Sequence, residues 1–599
     1  MLASEDSERR AGELGSLQMK RLGVVLMATV GFAAMAQAAD LPTKKETAPA
    51  PAKPDCWSSV WNWLNASASD CPIGAYGITL YGTLDVGYGY QEWGTNRDPS
   101  SDKLNYGLNK SGHEHIWQPT FNALSTSVLG LRMKEDLSQW APGWSLIGVL
   151  EAGFNPYSGM LINGPRALSD NNVNNAAGIT TVTIAGKKYT IYNSWQSTNF
   201  DSSRAGQWDN SQGYVGFSHK TWGDLTFGRT NSLASDSLSK YDPVASTAFS
   251  QIGFSGSFPG FGLTEITRIN TALTYKVAIP KVWALDTVRL AGQAQIGGYG
   301  VGNAATSHYE VQGGLDWGAF SFDGIFGWAQ NAVSLSNYGG SVTACGAGNA
   351  GISQSYGIWP GSGCYNANDI LKASLSNTWG MELLGSYKWD RFRFYGGYIY
   401  ANNSNPSDGF EGGLKTIANG IFAPPGAVTS TDYPKVNGAG VITSLNSPNY
   451  STNKVLQTLW TGFRYAVPDD WMRGWGALDF AVGFYYQWQN DFNFSWNTGT
   501  INGVSYGYAS GNACTGAGAF ISSSKCAGSI DTISFFADWK PVKRVDIYAG
   551  VMIQNVYGGL ANGYYNNQVY INPVNGQVVT TQHAFTQNYD PTIGIRIRF

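Results

Sequence analysis

Short runs in which apolar and polar residues alternate recur along this chain from residue 78 to the carboxyl terminus. In the first run, residues 78–90, the apolar side chains Ile78, Leu80 and Leu84 stand at even-numbered positions. A period of two is typical of β-strands that present one apolar face. No run of 18 or more apolar residues follows the amino-terminal region, which excludes membrane-spanning helices. The pattern therefore predicts an all-β fold.

Charged residues in the last run indicate which face of these strands meets water. Arg596 and Arg598 alternate with Ile595, Ile597 and Phe599. Two arginines on one strand face would be costly to bury in a dry core, whereas a water-filled lumen accommodates them easily. Only 13% of residues are charged, 14% are aromatic, and the mean hydropathy is −0.20. A large soluble β-protein shares some of these traits, but with the arginines they favour a transmembrane β-barrel.

Sixteen such runs can be marked along the chain. The predicted strands are 78–90, 125–135, 144–154, 211–220, 223–230, 268–277, 288–298, 307–317, 319–330, 378–387, 392–401, 455–465, 477–488, 529–539, 545–556 and 590–599. Seven connections are short, namely 136–143, 221–222, 278–287, 318, 388–391, 466–476 and 540–544, and they alternate with mostly long ones. We therefore predict a 16-stranded antiparallel transmembrane β-barrel with short periplasmic turns and long extracellular loops.

The amino-terminal region reads as a targeting segment. Two basic residues at positions 20 and 21 precede an apolar stretch, residues 22–36, and an Ala-x-Ala cleavage site at 36–38. The residues before Met19 are charged, so we predict that Met19 is the true start. We predict a signal peptide at 1–38, a proline-rich periplasmic segment with a cysteine-stapled turn at 39–76, and the barrel at 77–599.

Six cysteines fall into three close pairs along the chain. The pairs are Cys56 with Cys71, Cys345 with Cys364, and Cys514 with Cys526. An even number of cysteines in an exported chain indicates disulfides, for which fifteen connectivities are possible. Pairing of nearest neighbours is the simplest, because each bond closes one short loop. Zinc is the competing interpretation, but no pair has Cys-x-x-Cys spacing and no histidine lies nearby.

The stretch Asn231–Thr267 is long and shows little helix or strand pattern. Such stretches inside a compact domain are usually functional or disordered. It carries Asp236 and Asp242, and it is flanked by Arg229 and Arg268. If the stretch folds inward, its carboxylates face basic side chains on the wall and create a transverse electric field. We predict that it folds inward and narrows a membrane channel.

Several motifs recur in the order of a known family. They are Thr79-Leu80-Tyr81-Gly82, Leu129-Gly130-Leu131-Arg132, Leu150-Glu151-Ala152-Gly153-Phe154-Asn155, Gly213-Tyr214-Val215-Gly216-Phe217, Gly223-Asp224-Leu225-Thr226-Phe227-Gly228-Arg229 and Gly594-Ile595-Arg596-Ile597-Arg598-Phe599. Together they resemble the Gram-negative general porin family, of the alpha/beta-proteobacterial type. The resemblance implies a homotrimer of sixteen-stranded barrels in the outer membrane, surrounded by lipid and lipopolysaccharide. It also implies a third loop folded into each pore, and a terminal Phe599 that the barrel-assembly machinery reads.

The resemblance assigns candidate residues to the pore constriction. They are Arg229, Arg268, Asp236, Asp242, Arg132, Thr83 and Asp85. Arg229 and Arg268 match two wall arginines of the family, whereas two other positions of its basic cluster hold Thr83 and Val128. With Arg132 as partial compensation, the thinned cluster predicts a mild preference for cations. Phe227 and Arg229 share a parity, which requires either a bulge or an aromatic lumen face.

The function predicted from the sequence is passive diffusion of ions and small hydrophilic solutes. A substrate-specific channel, for example for a sugar, is the nearest alternative, and an outer-membrane enzyme or adhesin is a further one. No nucleophile stands in a recognisable motif, so no catalytic residue and no cofactor is predicted. His113-Glu114-His115 is interpreted as solvated surface rather than a metal site. The net charge of −3 gives no reason to expect nucleic acid as a partner.

Overall fold

Sixteen antiparallel strands close into a barrel in the computed structural model of the chain. They are β1 (Ile78–Gln91), β2 (Val128–Asp136), β3 (Trp144–Gly153), β4 (Gly213–His219), β5 (Gly223–Asn231), β6 (Arg268–Val282), β7 (Leu285–Gln295), β8 (Ser307–Trp317), β9 (Phe320–Ala332), β10 (Ser376–Trp389), β11 (Phe392–Ser404), β12 (Lys454–Ala466), β13 (Ala477–Gln489), β14 (Gly528–Val542), β15 (Val545–Gly558) and β16 (Thr592–Arg598). Each strand pairs with the next, and β16 pairs with β1 from Arg598 opposite Thr83 to Thr592 opposite Gly89. All sixteen predicted strands are confirmed.

The structure describes residues 56–91, 96–97, 116–157, 159, 180–184, 187–191, 211–254, 268–297, 307–332, 376–404, 435–436, 440–441, 448–496, 499–501, 504–506, 523, 525–561, 564–571, 578–584, 587–589 and 591–599. Three further strands extend the barrel sheet, namely Ile73–Ala75 and Ile116–Phe121 on β1 and Gln587–Tyr589 on β15. Strands outside the barrel are Asn96–Arg97, Thr180–Ile184, Lys187–Ile191, Lys435–Val436, Gly440–Val441, Pro448–Thr452, Asn493–Trp496, Gly499–Ile501, Val504–Tyr506, Tyr564–Ile571 and Val578–Ala584.

One predicted turn is much shorter than the sequence suggested. Residues 278–287 were expected to connect two strands, but β6 continues to Val282 and β7 begins at Leu285. Val282 pairs with Leu285, which leaves Trp283 and Ala284 as the turn. Pro280 weakened the strand pattern here, since proline cannot donate a ladder hydrogen bond. Alternate backbone groups of a strand point away from a given neighbour, so Pro280 remains compatible with its pairing opposite Thr287.

The two faces of the sheet differ in the way that the alternation predicts. Neighbouring residues in three strands show the contrast: Tyr309 and Glu310, Phe322 and Asp323, Tyr486 and Gln487, the aromatic residue being exposed and the polar one buried in each pair. The apolar face is therefore outside and the polar face inside, the reverse of a water-soluble barrel. Arg596 and Arg598 both bind the buried Asp546 of β15, at 2.9 and 3.2 Å.

A bulge in β5 resolves the conflict between Phe227 and Arg229. The register between β5 and β6 shifts between Gly228 and Thr230, and Gly228 has a φ of +140° that favours glycine. Phe227 is 46% exposed on the outer face, whereas Arg229 is only 4% exposed. Of the two possibilities that the sequence left open, a bulge or an aromatic lumen face, the structure shows the bulge.

Four short helices accompany the barrel within the described residues. They are α1 (Val60–Asn65), α2 (Leu233–Tyr241), α3 (Gln251–Phe254) and α4 (Asp469–Met472), with a 3₁₀ turn at Gly559–Ala561. None of the helices in the part of the chain described here has the length and apolar character needed to cross a membrane. The expectation of little helix in Asn231–Thr267 is wrong for α2. Ser232 caps this helix by accepting a hydrogen bond from the Ser235 amide at 3.0 Å.

Candidate functional site

The chain leaves β5 and runs across the inside of the barrel as residues 232–254, here called the inserted segment. The Leu233 amide donates to Glu310 of β8 at 2.5 Å, and Trp460 of β12 donates its Nε1 proton to the Tyr241 carbonyl at 3.1 Å. Ser534 of β14 donates to the Phe249 carbonyl at 2.5 Å. These wall residues all lie on the buried, inward face of strands that are far apart around the sheet. The inserted segment therefore lies within the lumen.

One flank of the inserted segment is packed against the wall by apolar side chains. Leu238, Tyr241, Val244, Phe249 and Ile252 of the segment form one cluster with Ile325, Leu384, Ile399, Trp460, Tyr485, Phe536, Tyr548 and Met552 of the wall. The ring of Phe249 lies 5.5 Å from that of Phe536 and 6.4 Å from that of Tyr548. Gly550 makes room for it, because a Cβ there would stand 2.9 Å from the Phe249 ring. Burying each large apolar side chain contributes roughly 1.5–3 kcal/mol.

Asp242 belongs to this packed flank rather than to open space. Its carboxylate accepts hydrogen bonds from the Tyr485 hydroxyl at 2.5 Å and from the amides of Ser246 and Val244 at 2.6 and 3.3 Å. It is 2% exposed, and burial raises the pKa of Asp242, while the hydrogen bond from Tyr485 acts in the opposite direction. The sequence placed Asp242 at the constriction, and the structure places it where it anchors the segment to β13.

Asp85 supports the inserted segment from another direction. Its buried carboxylate accepts from the amides of Leu124 and Ser125 at 2.7 and 2.9 Å, and from the Tyr548 hydroxyl at 2.6 Å. The turn that these bonds hold touches the segment, since the Ala248 amide donates to the Ala123 carbonyl at 2.8 Å. Asp85 is therefore on the inward face, as predicted, but it is fully occupied by protein donors.

The opposite flank of the inserted segment borders a cavity of about 500 Å³ between α2 and strands β4 to β9. Seven charged side chains line it, namely Lys220, Asp224, Asp236, Lys240, Lys276, Arg289 and Asp323. Gln312 and Ser237 add neutral polar groups, joined by a hydrogen bond of 2.9 Å. This flank therefore presents charges of both signs to an open space within the lumen.

Asp236 and Lys276 form the most open charge pair of the cavity. Lys276 Nζ lies 2.5 Å from Asp236 Oδ2, and the two side chains are 44% and 36% exposed. Asn231 Nδ2 donates to the other carboxylate oxygen at 2.8 Å. A carboxylate of the inserted segment thus faces a cation of the wall, but this cation is a lysine of β6. The sequence signal for Lys276 was its shared parity with Thr274, which is an inward residue.

Arg289 of β7 organises a second charge cluster that sequence reasoning missed. Its Nη2 lies 2.9 Å from Asp323 Oδ1, and its Nη1 forms an ion pair with Asp316. Nη2 also donates to the Tyr241 hydroxyl at 3.2 Å, which ties the cluster to α2. Lys240 of α2 lies 3.5 Å from Asp323. Burial lowers the pKa of Lys240, while Asp323 raises it.

The two arginines that the sequence singled out lie beside the bulge and away from the cavity lining. Arg229 is buried, and it donates Nε to the Ser211 carbonyl at 3.1 Å and Nη1 to Asn270 at 2.6 Å. Arg268 begins β6 opposite Asn231 and is partly buried. Neither is among the residues that line the cavity beside α2. Because of the bulge at Gly228, the Arg229 side chain is buried among wall residues instead of lying on the outer face with Phe227.

Arg132 and Thr83 lie on strands β2 and β1. The Arg132 guanidinium stands 4.8 Å from the centre of the Tyr81 ring, and the Tyr81 hydroxyl donates to Glu151 at 2.9 Å. Thr83 pairs with Val128 on one side and with Arg598 on the other. The exposed Arg132 side chain is therefore held over an aromatic face on the inward side of the sheet.

The predicted bond between Cys56 and Cys71 is present, with a Cα–Cα distance of 5.6 Å. Cys526 is also disulfide-bonded. Cys345, Cys364 and Cys514 lie outside the described residues, and so does His113-Glu114-His115. Within the described residues, no group of three or more His, Cys, Asp and Glu side chains is arranged to hold a metal ion.

Comparison with known proteins gives a family. The Gram-negative porin family model matches residues 24–419, well over half of the chain. No curated protein sequence matches significantly. The chain is similar to the anion-selective porin from Comamonas acidovorans, with 12% identity, a TM-score of 0.42, and 87% of this chain and 99% of that chain covered. It is similar to the outer membrane channel DcaP of Acinetobacter baumannii, with 11% identity, a TM-score of 0.38, and coverage of 87% and 97%. The family model places the chain in the Gram-negative porin family.

Proposed function

We propose that the cavity beside α2 is the narrow part of the channel through which ions and small hydrophilic solutes diffuse. As a Gram-negative porin, the protein lies in the outer membrane and forms a water-filled passage for passive diffusion. The observation that carries the proposal is the partly exposed Asp236–Lys276 pair, which joins a carboxylate of the inserted segment to a cation of the wall at the edge of the cavity. Such charges orient water and dipolar solutes, and charged side chains that line a pore set its ion preference.

We propose that the channel discriminates only weakly between cations and anions. The cavity lining holds four basic side chains, Lys220, Lys240, Lys276 and Arg289, and three acidic ones, Asp224, Asp236 and Asp323. Most of these are paired, so little net charge remains to attract ions of one sign. A mild cation preference remains the prediction from the sequence, and the balanced lining leads us to expect a small preference of either sign.

Among the predicted constriction residues, we propose that Asp236 acts in the passage and that Asp242 and Asp85 act by holding the inserted segment. Lys276 and Arg289 then take the role that was predicted for Arg229 and Arg268. Arg132, exposed on the inward side of β2, would add positive charge to the wall outside this cavity. Thr83 contributes a neutral position beside Arg598.

A liposome swelling assay with sugars of increasing size tests the proposal. A diffusion channel with a waist beside α2 should give rates that fall smoothly with solute size and rise in proportion to concentration. Saturation of the rate by one sugar, with block of ion current by that sugar, would instead favour a substrate-specific channel. The Lys276→Gln and Asp236→Asn variants should change the rates for charged solutes and leave those for neutral sugars nearly unchanged.

We further propose that the protein is a homotrimer embedded in lipid and lipopolysaccharide, with residues 1–38 removed and residues 39–76 in the periplasm. Phe599 exchanges two backbone hydrogen bonds with Gly82, at 3.0 and 2.9 Å, so the strand that would carry the assembly signal is paired to its end. We propose no catalytic activity, which agrees with a family of channels. Cross-linking of unboiled protein tests the trimer, and deletion of Phe599 tests the assembly signal.

A further inference from the structure

The segment Cys56–Cys71, here called the amino-terminal knot, is fixed to the turn between β14 and β15. Arg544 of that turn is 1% exposed, and its guanidinium lies 4.2 Å from the centre of the Trp63 ring. The side chain donates to four carbonyls of the knot, those of Trp63 at 2.9 Å, Ala66 at 3.0 Å, Ser67 at 3.2 Å and Cys71 at 2.7 Å. Four hydrogen bonds from one cation, together with the disulfide, hold α1 in a defined orientation.

The docked knot leaves three apolar side chains at the start of α1 uncovered. Trp57, Val60 and Trp61 are 69%, 75% and 64% exposed, whereas Trp63 is turned towards Arg544. Trp57 precedes the N-cap Ser59, and Val60 and Trp61 are the first two residues of α1, so the three exposed side chains lie together at the start of the helix, here called the patch. Residues 56–69 include no charged side chain. The patch is thus large, aromatic and bordered by neutral polar groups.

Exposed tryptophans also mark the other short turns of the barrel. Each of these six turns has at least one in it or beside it, namely Trp140, Trp222, Trp283, Trp317, Trp389 and Trp471, all at least 58% exposed. The seventh turn, Lys543–Arg544, carries no tryptophan, and it is the turn on which the knot is docked. The knot therefore supplies two exposed tryptophans at the one short turn that lacks its own.

We propose that the Trp57–Val60–Trp61 patch rests on the periplasmic leaflet of the outer membrane. Tryptophan concentrates at membrane–water interfaces, where the ring lies at the depth of the lipid headgroups. Trp57 and Trp61 are exposed on a segment without charged side chains, which suits them to that interface, and α1 at six residues is far too short to cross the membrane. The proposal rests on the barrel spanning the outer membrane with its short turns in the periplasm. In this proposal the amino-terminal knot contacts lipid and supplies the interfacial tryptophans that the turn between β14 and β15 lacks.

Site-specific photocross-linking of the full-length protein in cells tests the contact. The photoreactive amino acid p-benzoylphenylalanine replaces Trp57 or Trp61 in separate variants, Trp283 as a turn control, and Ala68 as an exposed knot residue away from the patch. We expect phospholipid adducts at 57 and 61 in yields close to those at 283 and several-fold above those at 68. Adducts with glycan strands or with another protein, or yields no higher than at 68, would overturn the proposal.

Three further measurements separate the possible causes of a negative result, namely heat-modifiable migration, the adducts of an Arg544→Gln variant, and repetition in liposomes. Heat-modifiable migration of each variant shows that its barrel is folded, and two independent patch positions guard against failure of one. Loss of lipid adducts at 283 as well would count against the membrane position of the turns themselves. Arg544→Gln should remove the adducts at 61 and keep those at 283, because it detaches the knot. Repetition in liposomes of phosphatidylethanolamine and phosphatidylglycerol, which contain no glycan, should reproduce the adducts.

Discussion

The two flanks of the inserted segment differ in almost every physical property. On one flank, Phe249 and Tyr241 are buried among apolar wall residues, and Asp242 is enclosed by its hydrogen-bond donors. On the other, Asp236 and Lys240 remain partly exposed, form ion pairs with charged residues of the wall, and line an open cavity. The first flank fixes where the segment lies, and the second determines what the passage presents to a solute. Position and selectivity can therefore be changed separately.

The first prediction removes the packing of the buried flank. Phe249→Ala should cost about 3–5 kcal/mol of the free energy that holds the segment, because a large aromatic ring leaves a cavity. Release of the segment should increase the single-channel conductance and its fluctuations. Phe535→Ala is the matched control, because Phe535 is 44% exposed on the outer face. A folded Phe249→Ala protein with wild-type conductance would show that this flank does not position the segment.

The second prediction concerns the arginine that sequence comparison would place in the passage. Arg229→Gln should lower the stability by about 1–3 kcal/mol, because the side-chain amide of Asn270 and the Ser211 carbonyl lose a buried donor. The reversal potential in a salt gradient should hardly change, since Arg229 does not line the cavity. A large shift in ion selectivity without loss of thermal stability would show that Arg229 lines the passage.

The third prediction separates the two charges of the open flank. Asp236→Asn should shift the selectivity towards anions and Lys276→Gln towards cations, because each change leaves the opposite charge unpaired. Each shift should be at most about fivefold in permeability ratio, since a partly exposed ion pair contributes roughly 1 kcal/mol or less. The reversal potential under a potassium chloride gradient measures both.

Lys281→Gln is the control for these two variants. Lys281 pairs with Asp286 at 2.6 Å and is 80% exposed at the turn between β6 and β7, outside the cavity lining. It should leave the reversal potential unchanged. Equal shifts from Lys281→Gln and Lys276→Gln would mean that the overall charge of the barrel, rather than the cavity beside α2, sets the selectivity.

The barrel could be predicted from the sequence because its surroundings impose a local rule. Lipid outside and water inside require side chains such as Phe322 and Asp323 to alternate, and this alternation is visible without any knowledge of the partners. The same rule, applied to Phe227 and Arg229, required either a bulge or an aromatic lumen face, and the structure shows a bulge at Gly228. Only strand ends, such as those of β6 and β7, were displaced.

The charge partners inside the barrel could not be predicted in the same way. Asp236 contacts Lys276 because α2 places it there, and the residues of α2 show little helix pattern in the sequence. Asp242 points into the packed flank because Tyr485, more than 240 positions later in the chain, supplies its donor. Such pairs depend on how distant elements meet, so residue type and spacing leave several arrangements open.

Single-channel recording of the purified, unboiled protein in a planar bilayer under a salt gradient tests the central claim most directly. The account predicts large ohmic current steps that arrive in threes, with only a weak ion preference because the cavity charges are nearly balanced. Absent currents, or small currents that a single solute blocks in a saturable way, would contradict a passive diffusion channel beside α2.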